Sequence, residues 1–167
     1  QSVCTEQVTV LTNVSTSPLA NANACQGGTA VFSAVPSGSG PFTFVWRKGD
    51  TVLGGETNHQ LVLSNVSVSQ AGLYCVEVSG PCDTATSCAT LTIQSNTTAT
   101  ALANLNRCVG DGAVFSTIPG GAGPFTYRWR KNGVELGGQT NRILSIPTLV
   151  LADAGTYTVE VKGLCNS

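Results

Sequence analysis

The sequence predicts an all-β protein built from two copies of one small domain. Apolar and polar residues alternate in short runs such as AVFSAV (30–35) and TFVWRK (43–48), and no window spaces its apolar residues like an amphipathic helix. Glycine and proline interrupt these runs, in GSGPF (38–42) and LGGETN (53–58), as turns interrupt strands. The chain also repeats itself. CQGGTAVFSAVPSGSGPFTFVWRKGDTVLGGETN (25–58) lies over CVGDGAVFSTIPGGAGPFTYRWRKNGVELGGQTN (108–141), and the register runs on without insertion to Cys82 over Cys165, with 29 of 58 positions identical. A repeat of this length means two domains of about 80 residues each.

Composition bounds the functions available. With 167 residues, 41% hydrophobic and 10% charged, the chain has enough apolar material for two packed cores. A net charge of −1 leaves no basic stripe to displace phosphate counterions, which argues against nucleic acid and anionic membrane surfaces as partners. No run of 18 apolar residues suggests a membrane span, and the start has no signal-peptide pattern. Seven cysteines without a CxxC or a Cys/His cluster point to an oxidising compartment, and so to an extracellular or cell-surface location.

Within the first copy, AVFSAV is followed by TFVWRK around Trp46, then by QLVLSNV (60–66) and LYCVEVSG (73–80); in the second, ADAGTY (152–157) leads into TVEV (158–161). After Cys82, DTATSCATLTIQS (83–95) places Ala89, Leu91 and Ile93 on one face, as a half-buried final strand does. Nothing comparable follows Cys165.

A tryptophan on an early strand, an L-x-L or L-x-I strand, and then A-G-x-Y before the next strand resemble the immunoglobulin fold. The resemblance makes Trp46 and Trp129 the core tryptophans and Tyr74 and Tyr157 the tyrosine corners. The wording PFTxxWRKxG…LGG…TN…DAGTYxVxVxGxC is similar to tandem immunoglobulin-like repeats of large bacterial surface proteins. The implied fold is two tandem immunoglobulin-like β-sandwiches, the second lacking its own last strand. The family's inter-sheet cysteines are replaced here by Ala34, Val76, Thr117 and Val159. The repeated spacing of Cys25 to Cys82 and Cys108 to Cys165 instead predicts one bond within each domain, worth roughly 4 kcal/mol by loop closure. Cys75 and Cys88, both facing out on neighbouring strands, are expected to form a cross-strand pair.

The opening stretch CTEQVTVLTNVSTSPLANANAC (4–25) lies over CATLTIQSNTTATALANLNRC (88–108) with one extra residue. Residues 14–24 then read as the first strand of domain 1, and residues 3–11 as a final strand without a domain. The expected division is an extra strand in 1–12, domain 1 in 13–95 and domain 2 in 96–167. Two explanations fit this pattern. Either the chain is a segment of a longer array or adhesin stalk, or residues 3–11 of one copy complete domain 2 of the next, giving a head-to-tail homopolymer. We favour the second, with Val3, Cys4, Val8 and Val10 in the donated strand and Cys4 as the odd thiol.

No catalytic residue stands out. His59, the single histidine, reads as a loop residue and its counterpart is Arg142; Asp153 belongs to the tyrosine-corner stretch; Arg47 and Arg130 alternate outward from the tryptophans. A serine or threonine nucleophile lacks a recurring base, so no enzyme activity is expected. No metal loop or cofactor motif is present in the sequence. Asn13, Asn65 and Asn96 head N-x-S/T sequons and are candidate glycan sites, the foremost being Asn96 in QSNTTAT (94–100), which reads as the linker between the domains. Host or surface glycans are the partners implied if the chain is a binding module, and copies of itself if it is a filament subunit.

Overall fold

A computed structural model describes residues 3–165 and divides the chain into two compact units, Gln1–Ile93 and Gln94–Ser167. In the first, the strands are β1 (Ser15–Thr16), β2 (Ala22–Cys25), β3 (Ala30–Ser33), β4 (Pro36–Ser37), β5 (Thr43–Lys48), β6 (Thr51–Val52), β7 (Gln60–Leu63), β8 (Gly72–Ser79) and β9 (Thr84–Gln94). One sheet has the order β2-β9-β8-β5-β6; β3 pairs with β7, and β1 with β4. Alternation is the cause. In β8, Tyr74, Val76 and Val78 are buried while Cys75 and Glu77 turn away, and in β9 Ala89 and Leu91 are buried in the same core.

Phe32 and Leu61, from the β3–β7 pair, meet Trp46, Tyr74 and Leu91 from the larger sheet in one buried cluster. The Phe32 ring stacks on Tyr74 at 5.2 Å between centroids. Two polar tips inside this core are satisfied: Trp46 Nε1–H donates to the Asn58 carbonyl at 2.8 Å and the Tyr74 hydroxyl to the Gln70 carbonyl at 2.8 Å. Ala34 and Val76 are fully buried where the family places its inter-sheet bond. Apolar packing takes over there.

The second unit has β10 (Thr98–Ala99), β11 (Ala113–Ser116), β12 (Pro119–Gly120), β13 (Thr126–Lys131), β14 (Val134–Glu135), β15 (Ile143–Ile146) and β16 (Tyr157–Lys162). Its sheets are β14-β13-β16, β11-β15 and β10-β12. Trp129 Nε1–H donates to the Asn141 carbonyl, Tyr157 donates to the Asp153 carbonyl, and Phe115 stacks on Tyr157 at 4.7 Å. Thr117 replaces Ala34 in this core, and its buried hydroxyl donates to the Thr100 carbonyl at 2.9 Å, so the added polar group is satisfied.

Both units bend sharply after the first short strand pair, and glycine is needed there. Gly38 has φ +110° and Gly121 has φ +97°; a Cβ would stand 2.2 Å from the Asn13 carbonyl oxygen in one and 2.3 Å from that of Asn96 in the other.

The strand expected over residues 3–11 is one that pairs with another copy; in the single chain they have no ladder partner among the described residues and form no strand. Three other expectations need correction. The first strand of domain 1, expected over 14–24, is split into β1 and β2, which pair in different sheets. Gln94 and Thr98–Ala99 lie in strands, so 94–100 is not a plain linker.

The third correction concerns the repeated cysteines. Cys82 and Cys108 are exposed thiols, whereas Cys25 and Cys165 are each disulfide-bonded, so neither Cys25–Cys82 nor Cys108–Cys165 forms. The reason is topological. Cys25 ends β2, which runs beside β9, with the Asn21 side chain accepting from Thr90 N; Gly27 N donates to the Val66 carbonyl, close to the start of β8. Cys82 lies past the other end of β8, in the turn to β9. An eight-residue strand spans about 25 Å, against less than about 7 Å between the Cα atoms of a disulfide. Equal spacing in sequence said nothing about which pole each cysteine occupies.

Candidate functional site

The two units differ most at the edge of β16. In domain 1 the equivalent strand, β8, is flanked by β5 on one side and β9 on the other, with Gly72 opposite Leu91, Tyr74 opposite Ala89 and Cys75 opposite Cys88. The Cys75–Cys88 disulfide spans this pair on the outward face, with Cα atoms 4.1 Å apart. Alternation dictates it: Tyr74 and Val76 point in, so the residue between them points out, and the same holds for Cys88 beside Ala89.

In domain 2, β16 pairs with β13 only, among the described residues. Thr158 stands where Cys75 stands, opposite Arg130 of β13 and, among the described residues, with no strand on its other side. The place held in domain 1 by Leu91 and its neighbours is a groove of about 260 Å³, lined by Leu105, Phe115, Ile146, Gly155 and Tyr157 among others. Leu105 is the counterpart of Ala22 in β2, but residues 101–107 are not a strand. The cause is the same in both cases. β2 is hydrogen-bonded to β9, and without a strand in that position neither neighbour has a ladder to complete. Tyr157 is therefore half-buried where Tyr74 is 1% exposed, which revises its expected role as a core residue equal to Tyr74. Burial raises the pKa of both phenols, and the Asp153 carboxylate raises that of Tyr157 further.

Residues 3–11 present the complementary chemistry. Val3, Val8 and Val10 are 83%, 87% and 86% exposed, so their side chains are not packed against domain 1. Cys4 is an exposed thiol.

The remaining sequence candidates are on the surface. His59 is exposed and its carbonyl accepts from Ala34 N, a backbone role. Asn13, Asn65 and Asn96 are exposed. Arg130 pairs with Glu160 at 3.0 Å and Arg128 with Glu135 at 3.5 Å on the outward face of the sheet. Among the described residues no group of three or more histidine, cysteine or acidic side chains is arranged to hold a metal, and no helix is long and apolar enough to cross a membrane.

The architecture defines the class: two tandem immunoglobulin-like β-sandwiches. Solved structures of that fold align with nearly the whole chain. A three-domain immunoglobulin fragment of titin, I67–I69, in an E-to-A mutated variant, matches 94% of the chain and 63% of its own length, with a TM-score of 0.77 and 16% identity. Sidekick-1 immunoglobulin domains 1–4 match over 95% of the chain and 47% of their own length, at TM-score 0.69 and 16% identity. The extracellular domains 3–5 of Drosophila OTK match over 91% and 58%, at TM-score 0.62 and 13% identity. The chain thus spans less than two thirds of the length of these fragments, and at such identities the likeness is one of fold. No protein-family model matches the chain.

Proposed function

We propose that the chain is a non-catalytic structural unit of an extracellular or cell-surface array of immunoglobulin-like domains, a stalk whose role is reach and mechanical continuity. The observation that carries this is the edge of β16, unpaired among the described residues, with its apolar groove, in a domain otherwise built like its neighbour. Such an edge is a site for strand addition. Two further features support the reading. The copies keep the same turns, GSGPF and GAGPF, where a recognition site would make one copy diverge, and cysteine bonding suits an oxidising compartment. Asn13, Asn65 and Asn96 are accessible to glycosylation machinery in such a setting.

The test is to supply the strand. Residues 84–94, with Cys88→Ser, are joined after Ser167 by a short flexible linker. Burial of the equivalents of Leu91 and Ile93 stabilises domain 2 by several kcal/mol, at roughly 1.5–3 per side chain. No gain in the unfolding midpoint of domain 2 sinks the proposal.

A second reading, strand donation between copies, is favoured by the solvent-exposed apolar side chains of residues 3–11. Here Val8 and Val10 of one copy enter the groove beside β16 of another, making a homopolymer. Under this reading the 167-residue chain forms reductant-resistant multimers in sedimentation experiments and loses them when residues 1–11 are deleted. Multimers that persist after the deletion, or a 167-residue chain that stays monomeric at high concentration, dismiss strand donation and leave the array reading standing.

A further inference from the structure

Each unit has an entry pole and an opposite pole, and the repeated cysteines mark them. In domain 1 the chain enters beside the β8–β9 turn, where Val14 N donates to Asp83 Oδ1 at 2.6 Å, and β9 carries it to the far end. Cys82 lies at the entry pole and Cys25 at the exit pole. Domain 2 is built the same way. The Cys165 carbonyl accepts from Thr97 N at 2.9 Å, at the entry pole, while Cys108 N donates to Asp111 Oδ2 at 2.9 Å near the 3-10 turn Leu151–Asp153, at the opposite pole.

The oxidation states follow this division. Cys25 at an exit pole and Cys165 at an entry pole are disulfide-bonded, and neither bonds the other repeated cysteine of its own unit; Cys82 at an entry pole and Cys108 at an exit pole are exposed thiols. Each thiol is thus the structural counterpart of a cysteine that does form a disulfide at that same pole.

We propose that Cys82 and Cys108 are linking thiols, through which the entry pole of one repeat is covalently stapled to the exit pole of another repeat of the same kind. In a population of this chain the bond is Cys82 of one copy to Cys108 of a second. Formation needs a small disulfide oxidant such as glutathione disulfide. The Cys82 thiolate attacks it, releasing one glutathione thiol and leaving a mixed disulfide; the Cys108 thiolate of the second copy attacks the Cys82 sulfur and displaces the other. Two cysteine thiols lose two protons and two electrons, and the oxidant leaves as two thiols. The proposal rests on the array reading, but its test addresses the poles and not the open edge.

The test uses the whole 167-residue chain with Cys4→Ser throughout. One variant carries Cys108→Ser and keeps Cys82; the other carries Cys82→Ser, keeps Cys108 and is labelled with nitrogen-15. Equal amounts are mixed with glutathione disulfide, and linked species are weighed by mass spectrometry. Random pairing gives twice as much heterodimer as either homodimer; the staple predicts an excess of about tenfold or more, falling to twofold when the same mixture is oxidised in urea. A twofold ratio under native conditions, a native ratio equal to that in urea, or thiols that end only as glutathione adducts each overturns the proposal.

Discussion

Replacing Leu91 by alanine isolates the contribution of β9, which among the described residues has no counterpart beside β16. Leu91 is 1% exposed, opposite Gly72 and in the cluster that holds Phe32, Trp46 and Tyr74. Removing its side chain forfeits its transfer free energy and leaves a cavity in a close-packed core, a loss of about 3 kcal/mol within the usual range of roughly 2–5. With a urea dependence of about 1.5 kcal/mol per molar for a domain of this size, the midpoint of domain 1 falls by about 2 M. The two indole N–H groups provide the assay. Each is held by a carbonyl of its own unit, Asn58 for Trp46 and Asn141 for Trp129, so their two nuclear magnetic resonance signals report each domain separately through a urea series. The Trp46 transition moves and the Trp129 transition stays. A shift below about 0.5 M, or an equal shift of both signals, refutes the assignment of β9 as a core strand of domain 1 only.

Other perturbations give equally direct readings. The double change Cys75→Ser and Cys88→Ser opens a short loop and lowers the stability of domain 1 by up to about 3 kcal/mol in the same urea series; no change in the Trp46 midpoint counts against a stabilising bond. Gly110→Ala, at φ +92° with open space around it, costs about 1 kcal/mol, whereas Gly121→Ala, with its Cβ 2.3 Å from a carbonyl oxygen, costs at least twice as much; equal costs in thermal melts contradict the contact. The folded-state pKa values of Tyr74 and Tyr157 are raised, so the stability they contribute is whole below about pH 10 and is lost as pH climbs through the folded values. Unfolding midpoints that stay flat above pH 10 in the wild type, or fall equally in Tyr74→Phe with Tyr157→Phe, run against that account.

The sequence by itself determined what depends on neighbours along the chain. Period-two alternation places Trp46, Tyr74, Val76 and Leu91 on inward faces, and because a cross-strand neighbour of an outward residue also faces outward, it brings Cys75 and Cys88 together. Repetition carries the same description to Trp129 and Phe115. The pole at which Cys25 or Cys82 lies is a different kind of fact. It depends on the direction of every strand between them, which residue spacing does not encode, and so equal spacing suggested bonds that a strand of about 25 Å forbids. The state of residues 3–11 is of this kind too. Their alternation gives them the composition of a strand, but a strand exists only where a partner edge completes its ladder, and that is decided in three dimensions. For the same reason Tyr157, read as equal to Tyr74, is half-buried: its neighbours in sequence match, and among the described residues the strand that covers Tyr74 has no counterpart beside β16.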